Sequence, residues 1–187
     1  MIYKFSEASK NALESAEKLA VELGHSHIGT EHVLYGIAIE EKGVAFKILN
    51  RQGIEASLIV SKIKEILGEG KNKINRTEGF TPRTKKIIEN SFKETEKNLL
   101  SNIGTETILL SILNDKENMA YKILMDLSVD IEKIYEDLFK IVAQVEDLNR
   151  EKKIRGKQNL NSILNQYGTD LNKMALEEKI DTVIRKK

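Results

Sequence analysis

Apolar residues recur at three- and four-residue intervals along most of this chain, which places them on one face of successive α-helices. Ser6 stands where an N-cap belongs. Ala8, Ala12, Leu13, Ala16, Leu19, Ala20 and Leu23 then keep helical spacing until Gly24 supplies a stop. After a polar loop over residues 25–29, Thr30 opens a second helix with Val33, Leu34, Ile37 and Ala38 inward. Gly43 sets off a short third helix whose Ala45, Ile48 and Leu49 are apolar, and Gly53 closes it. A fourth helix is predicted over residues 55–67, burying Leu58, Ile59, Ile63, Ile66 and Leu67.

The pattern then runs a second time. Phe5 and Phe80 lie 75 residues apart, and that offset holds without a gap through Ser6/Thr81, Leu13/Ile88, Ile28/Ile103, Leu34/Leu109, Ala45/Ala120 and Leu49/Leu124. Chance does not produce an ungapped correspondence of that length. The period exceeds ordinary solenoid repeats, so the expected architecture is all-α: two packed copies of one four-helix unit, related by a pseudo-twofold axis. The division is 1–68 for the first copy, 69–79 for a polar connector, 80–145 for the second copy and 146–187 for a tail. Thr81-Pro82 restarts the second copy as N-cap plus proline at the first helical position. Asp130 caps its last helix, which carries Ile131, Ile134, Leu138, Ile141 and Val142.

From residue 146 to 158 the chain is charged and loses its apolar face, as a linker or a solvated helix extension does. Apolar residues return at Leu160, Ile163, Leu164, Leu171, Met174, Ile180 and Val183. They have no counterpart 75 residues away and are too few for a core, so the tail reads as the start of a further module.

Within this repeat, one tripeptide recurs unchanged: Gly29-Thr30-Glu31 and Gly104-Thr105-Glu106. In each, a threonine is placed to cap and a glutamate falls in the first turn of an apolar helix, at the positive end of its dipole. First-turn amides point outward and can hold an anion, while the carboxylate attracts a cation. Such a start suits a ligand carrying an anion and a cation close together. Capping alone does not demand the same tripeptide twice, because other caps differ between the copies (Ser6 against Thr81).

Composition narrows the classes. The 30 basic and 29 acidic residues give a net charge of +1, which offers no basic excess for nucleic acid. The chain has no cysteine, so disulfides and thiolate metal sites are excluded and a reducing, cytoplasmic setting is expected. No apolar run is long enough to cross a bilayer, and the first residues carry no signal-peptide core. His25, His27 and His32 cluster and imitate a metal site, yet the second copy places Leu100, Asn102 and Thr107 at the same positions. A structural role for these histidines is expected, and no metal. Ser15-x-x-Lys18 and Ser61-x-x-Lys64 lack the companion motifs of serine–lysine acyl enzymes, and no phosphate-binding glycine loop occurs.

These residues carry a resemblance. Phe5-Ser6, Leu23-Gly24-His25, Ile28-Gly29-Thr30-Glu31-His32, Thr81-Pro82-Arg83 and Ile103-Gly104-Thr105-Glu106 resemble the N-terminal repeat domain of Clp unfoldases, over residues 1–145. In the tail, Tyr167-Gly168-x-Asp170-Leu171 and Ile180-Asp181-x-Val183-Ile184 are similar to the segment leading into the first ATPase module. The resemblance is nearest to the ClpC type. It implies a non-catalytic domain that recognises substrates and MecA-like adaptors for a hexameric ATPase, which unfolds proteins and feeds them to the ClpP peptidase. ATP and Mg would belong to the missing ATPase modules, and the piece itself is expected to be monomeric. By resemblance the ligand is phosphoarginine, with Glu31 and Glu106 facing the guanidinium, and Thr30 and Thr105 with their helix-start amides facing the phosphate. The second copy departs from the family pattern at Asn98-Leu99-Leu100 and Thr107. A stand-alone Clp-repeat regulatory protein without an ATPase is the alternative.

Overall fold

Residues 4–155 are described by the structure, a computed structural model. The first copy holds a short strand β1 (Lys4–Phe5) and helices α1 (Glu7–Glu22), α2 (Thr30–Ile39), α3 (Val44–Arg51) and α4 (Ala56–Leu67). The second repeats the four helices as α5 (Pro82–Lys97), α6 (Thr105–Asn114), α7 (Met119–Asp126) and α8 (Ile131–Arg155), with its short strand β2 (Asn102–Ile103) between α5 and α6. The all-α expectation holds, with only these two-residue strands added. The segment beyond Arg155, where apolar residues return and a lead into an ATPase module is expected, lies outside the described residues.

Local chemistry explains several helix ends. Ser6 accepts from the Ser9 amide at 3.1 Å, Thr81 from Thr84 at 3.1 Å and Asp130 from Lys133 at 2.9 Å, each supplying a partner to a first-turn N–H that the helix leaves free. Gly24 takes φ +70°, a backbone form that favours glycine, and a Cβ there would meet the Asn72 carbonyl at 2.9 Å. That close approach lays the connector over the end of α1, where the Gly70 amide donates to the Leu23 carbonyl at 2.7 Å.

The copies are knitted together by exchanged contacts. Phe5 pairs in parallel with Ile103 of the other copy, and Ile28 bridges Phe80 in the mirror arrangement. The Ser6 amide donates to the Ile103 carbonyl at 2.9 Å, and its counterpart Thr81 donates to Ile28 at 3.0 Å. Each copy's fourth helix packs on its own second helix and on the third helix of the other copy: α4 on α2 and α7, α8 on α6 and α3. One apolar core therefore runs through both units, from Phe5, Leu34 and Ile48 to Ile108, Ile123 and Leu138.

Two expectations are corrected. Thr30 is not an N-cap: Gly29 holds that position and Thr30 is the first helical residue, as are Gly104 and Thr105 in the second copy. The threonine hydroxyls cap different helices. Thr30 Oγ1 accepts from the Ala120 amide in the first turn of α7 at 3.1 Å, and Thr105 Oγ1 accepts from the Ala45 amide in α3 at 3.2 Å. Neither α3 nor α7 is long enough to be stable alone, so an acceptor supplied from the opposite copy both satisfies a first-turn amide, in α7 beside the local cap Asn118, and locks the interface. The second correction concerns α4. Ile59 and Ile63 are buried, but Leu58, Ile66 and Leu67 are 43%, 40% and 45% exposed. Only one side of α4 meets α2 and α7, so its remaining apolar residues face outward.

The exchanged caps predict a specific sensitivity. Thr105→Val keeps the shape and leaves the Ala45 amide without its acceptor, which costs about 1–3 kcal/mol for a buried N–H. Urea denaturation should show that loss for Thr105→Val and likewise for Thr30→Val. Unchanged midpoints would mean the hydroxyls do not hold the copies together.

Candidate functional site

Each Gly-Thr-Glu start is built by a different rule than capping by its own threonine. The Glu31 carboxylate folds back over Gly29, and a Cβ on Gly29 would collide with Glu31 Oε1. The same holds for Glu106 over Gly104. Both glycines have φ near −85°, so backbone freedom is not the reason they are glycine. Space for the carboxylate is. In each copy the carboxylate also takes a hydrogen bond from its own amide, at the positive end of the helix.

Glu31 is 7% exposed, and burial pushes its carboxyl above the ordinary range, with its own amide acting only partly against that. Glu106 keeps part of its surface open although it is ringed by protein, and burial raises it as well. Among the described residues, no lysine or arginine forms an ion pair with either one. A desolvated carboxylate without a cation is a standing cost to the fold, so two of them at matching positions call for an explanation beyond stability.

In the first copy, His32 and His25 lie beside Glu31. The Gly29 amide donates to His32 Nδ1 at 2.8 Å, which requires the lone pair and fixes the proton on Nε2. His32 Nε2 lies 2.8 Å from His25 Nδ1, so His32 donates and His25 accepts. His25 Nε2 then donates to the Gly68 carbonyl at 2.9 Å, just past the end of α4. The result is a directional relay from the start of α2 to the end of α4. His32 is 1% exposed, and burial, followed by the neighbouring His25, holds its imidazole down at about 4. Glu31 Oε1 lies 3.2 Å from His32 Nδ1, but a neutral ring makes this no ion pair at pH 7. All four ring nitrogens of His25 and His32 have partners, which accounts for the cluster without a metal. His27 stands apart at the surface, 3.6 Å from Glu78.

The second copy reaches the same shape differently. Thr107 Oγ1 donates to the Gly104 carbonyl at 2.9 Å, and Leu100 is buried where His25 would be. The paired replacement of His25 by Leu100 and of His32 by Thr107 was a readable sign that the two histidines touch.

The four predicted site residues are therefore placed as follows. Glu31 and Glu106 sit at the starts of α2 and α6, while Thr30 and Thr105, 3% and 1% exposed, have hydroxyls committed to the opposite copy. A shallow pocket of about 360 Å³ opens over Glu31, lined by Gly24, His25, Ser26, His27, His32 and Leu67. Its walls all come from the first copy, so the two tripeptides do not merge into one site. Leu67 was expected in the core and is instead a pocket wall.

Linkage gives the sign of the pH response. With its folded value near 4 against an ordinary 6.5, His32 contributes stability that is full above pH 6.5 and is lost as pH falls through that window, on the order of 3 kcal/mol. Glu31 works the other way: its raised carboxyl destabilises at neutral pH and is relieved on acidification. Replacing His32 by threonine, the residue of the second copy, should flatten the loss between pH 6.5 and 4.5 in urea titrations. Glu31→Gln should raise the midpoint at pH 7. A His32→Thr profile as steep as the parent's, or a lower midpoint for Glu31→Gln, would contradict the assignment.

A family model described as the Clp repeat (R) N-terminal domain matches residues 4–127 and again 79–182, the two starts lying 75 residues apart. The chain is 34% identical over 186 residues to the chaperone protein ClpB of Oceanobacillus iheyensis, and 32% identical over 184 residues to the negative regulator of genetic competence ClpC/MecB of Bacillus subtilis. Each alignment covers 98% of this chain, but the chain spans only 23% and 22% of those two proteins. Among solved structures, the N-terminal domain of ClpD from Arabidopsis thaliana aligns with a TM-score of 0.63 at 18% identity, covering 74% of this chain and 97% of that one. A ClpV N-domain in complex with a VipB peptide aligns with a TM-score of 0.58 at 18% identity, covering 75% and 88%.

Proposed function

The chain belongs to the Clp repeat N-terminal domain family, and from that premise we propose that it is a recognition domain for protein substrates and adaptors of a ClpC-like unfoldase. Its ligand in this reading is phosphoarginine on client proteins. The observation that carries the reading is the pair of desolvated carboxylates, buried Glu31 and partly buried Glu106, each held over a glycine at a helix start and neither ion-paired with a lysine or arginine among the described residues. A guanidinium supplies the missing cation. In this reading the phosphate attached to it meets first-turn amides other than that of the glutamate, which its own carboxylate already takes. Thr30 and Thr105 contribute to this site through those amides and by fixing the helix starts, their hydroxyls being occupied elsewhere.

The wider setting follows from the same reading. The parent is a cytoplasmic, hexameric ATPase using ATP and Mg, it delivers clients to ClpP, and a MecA-like adaptor docks on this domain, which is itself a monomer that performs no catalysis.

Calorimetric titration with free phosphoarginine, beside arginine and phosphoserine, tests the proposal. Selective binding of phosphoarginine with a stoichiometry near two is expected. Glu31→Ala and Glu106→Ala should each remove one site, since losing a desolvated charge partner costs about 2–5 kcal/mol, or ~30-fold and more in affinity. Equal binding of all three compounds, or none by a folded domain, would sink the proposal.

A further inference from the structure

The first pocket has a feature that the charge chemistry of Glu31 does not use. Leu67, 45% exposed at the end of α4, lines the same pocket as Glu31 and His25. A large apolar side chain left in water at a helix end gains when another apolar group covers it. Its position is not accidental. The next residue, Gly68, ends α4 with φ +70°, and its carbonyl is the terminal acceptor of the His32–His25 relay that begins at the Gly29 amide. The relay thus ties the wall that carries Leu67 to the helix start that carries Glu31. The second copy has neither histidine, only Leu100 and Thr107.

We infer that the first pocket reads two things side by side: the modified arginine against Glu31 and, against Leu67, an apolar side chain next to it in the client sequence. Leu67 is the specificity-determining residue, and His25 and His32 are positioning residues that hold it in place. This rests on the reading of Glu31 given above, and deepens it from a single residue to a dipeptide. The occupant of the Leu67 wall is a neighbouring side chain of the same client peptide because the wall is continuous with the carboxylate pocket. The second copy lacks the relay, so it reads the modified arginine without this preference.

Two short capped peptides, phosphoarginine followed by leucine and phosphoarginine followed by serine, provide the test. They are titrated into a Glu106→Ala background, so that only the first site is read, with free phosphoarginine alongside. The leucine peptide should bind about fivefold tighter, the scale expected for partly covering one aliphatic side chain. In Leu67→Ser the ratio should fall to about one, whereas Leu58→Ser, exposed on α4 outside the pocket, should leave it unchanged. His25→Leu, which the second copy's Leu100 shows the fold accommodates, should lower the ratio too. Combining it with Leu67→Ser should lower the ratio no further, the non-additivity expected of residues acting as one unit. Equal affinity of the two peptides for the parent, or a preference that survives Leu67→Ser, overturns the inference. Failure of free phosphoarginine to bind overturns the reading of Glu31 as well, so the two failures are told apart.

Discussion

The structure depends on a reciprocal exchange between its two halves. The hydroxyl of Thr30 completes the first turn of α7, and that of Thr105 completes the first turn of α3. Beside them, Ile28 and Ile103 bridge the phenylalanines that open the opposite copy. A four-helix unit of this size exposes too much of its apolar surface to be stable alone. Its shortest helix, α3 in one copy and α7 in the other, lacks the length to hold itself. Duplication meets both needs at once, because each copy covers the open face of the other and supplies an acceptor to the first turn of its shortest helix, in α7 beside that helix's own cap Asn118.

The same residues that join the copies also place the candidate sites. Once threonine is committed to the opposite helix and glycine sits at the N-cap, the following glutamate is the side chain that can lie over the helix start. It does so twice, with its carboxylate in the space a Cβ would fill. Burial raises both carboxyls, and the helix dipole and one amide offset only part of that cost. The fold would be more comfortable with a neutral side chain at both positions. A ligand that brings its own cation turns this standing penalty into binding free energy, which is the physical basis for reading the tripeptides as sites.

Much of this was legible in the sequence, and the reasons for the rest are physical. Periodicity, capping residues and the 75-residue offset gave eight helices in two copies, because those signals are local or depend on self-similarity. The partner of each threonine lies 90 or 60 residues away, and no local rule points to it. Local rules therefore assign Thr30 to the cap of its own helix, one residue from the true N-cap. Leu58, Ile66 and Leu67 fit the apolar stripe of α4, but how wide a stripe is covered depends on which helices arrive against it. The histidine relay lies between these cases: the sequence set its two members changing together between the copies, while the geometry alone reveals Gly68 as its end.

The central claim is that Glu31 and Glu106 are held uncompensated for a cationic ligand. Carboxyl-detected NMR titration over pH, on the free domain and on the domain saturated with phosphoarginine, tests it most directly. Both carboxyls should titrate above the ordinary glutamate range when free and move down together when the ligand's guanidinium arrives. Ordinary values in the free domain, or carboxyls that saturation leaves unmoved, would contradict it.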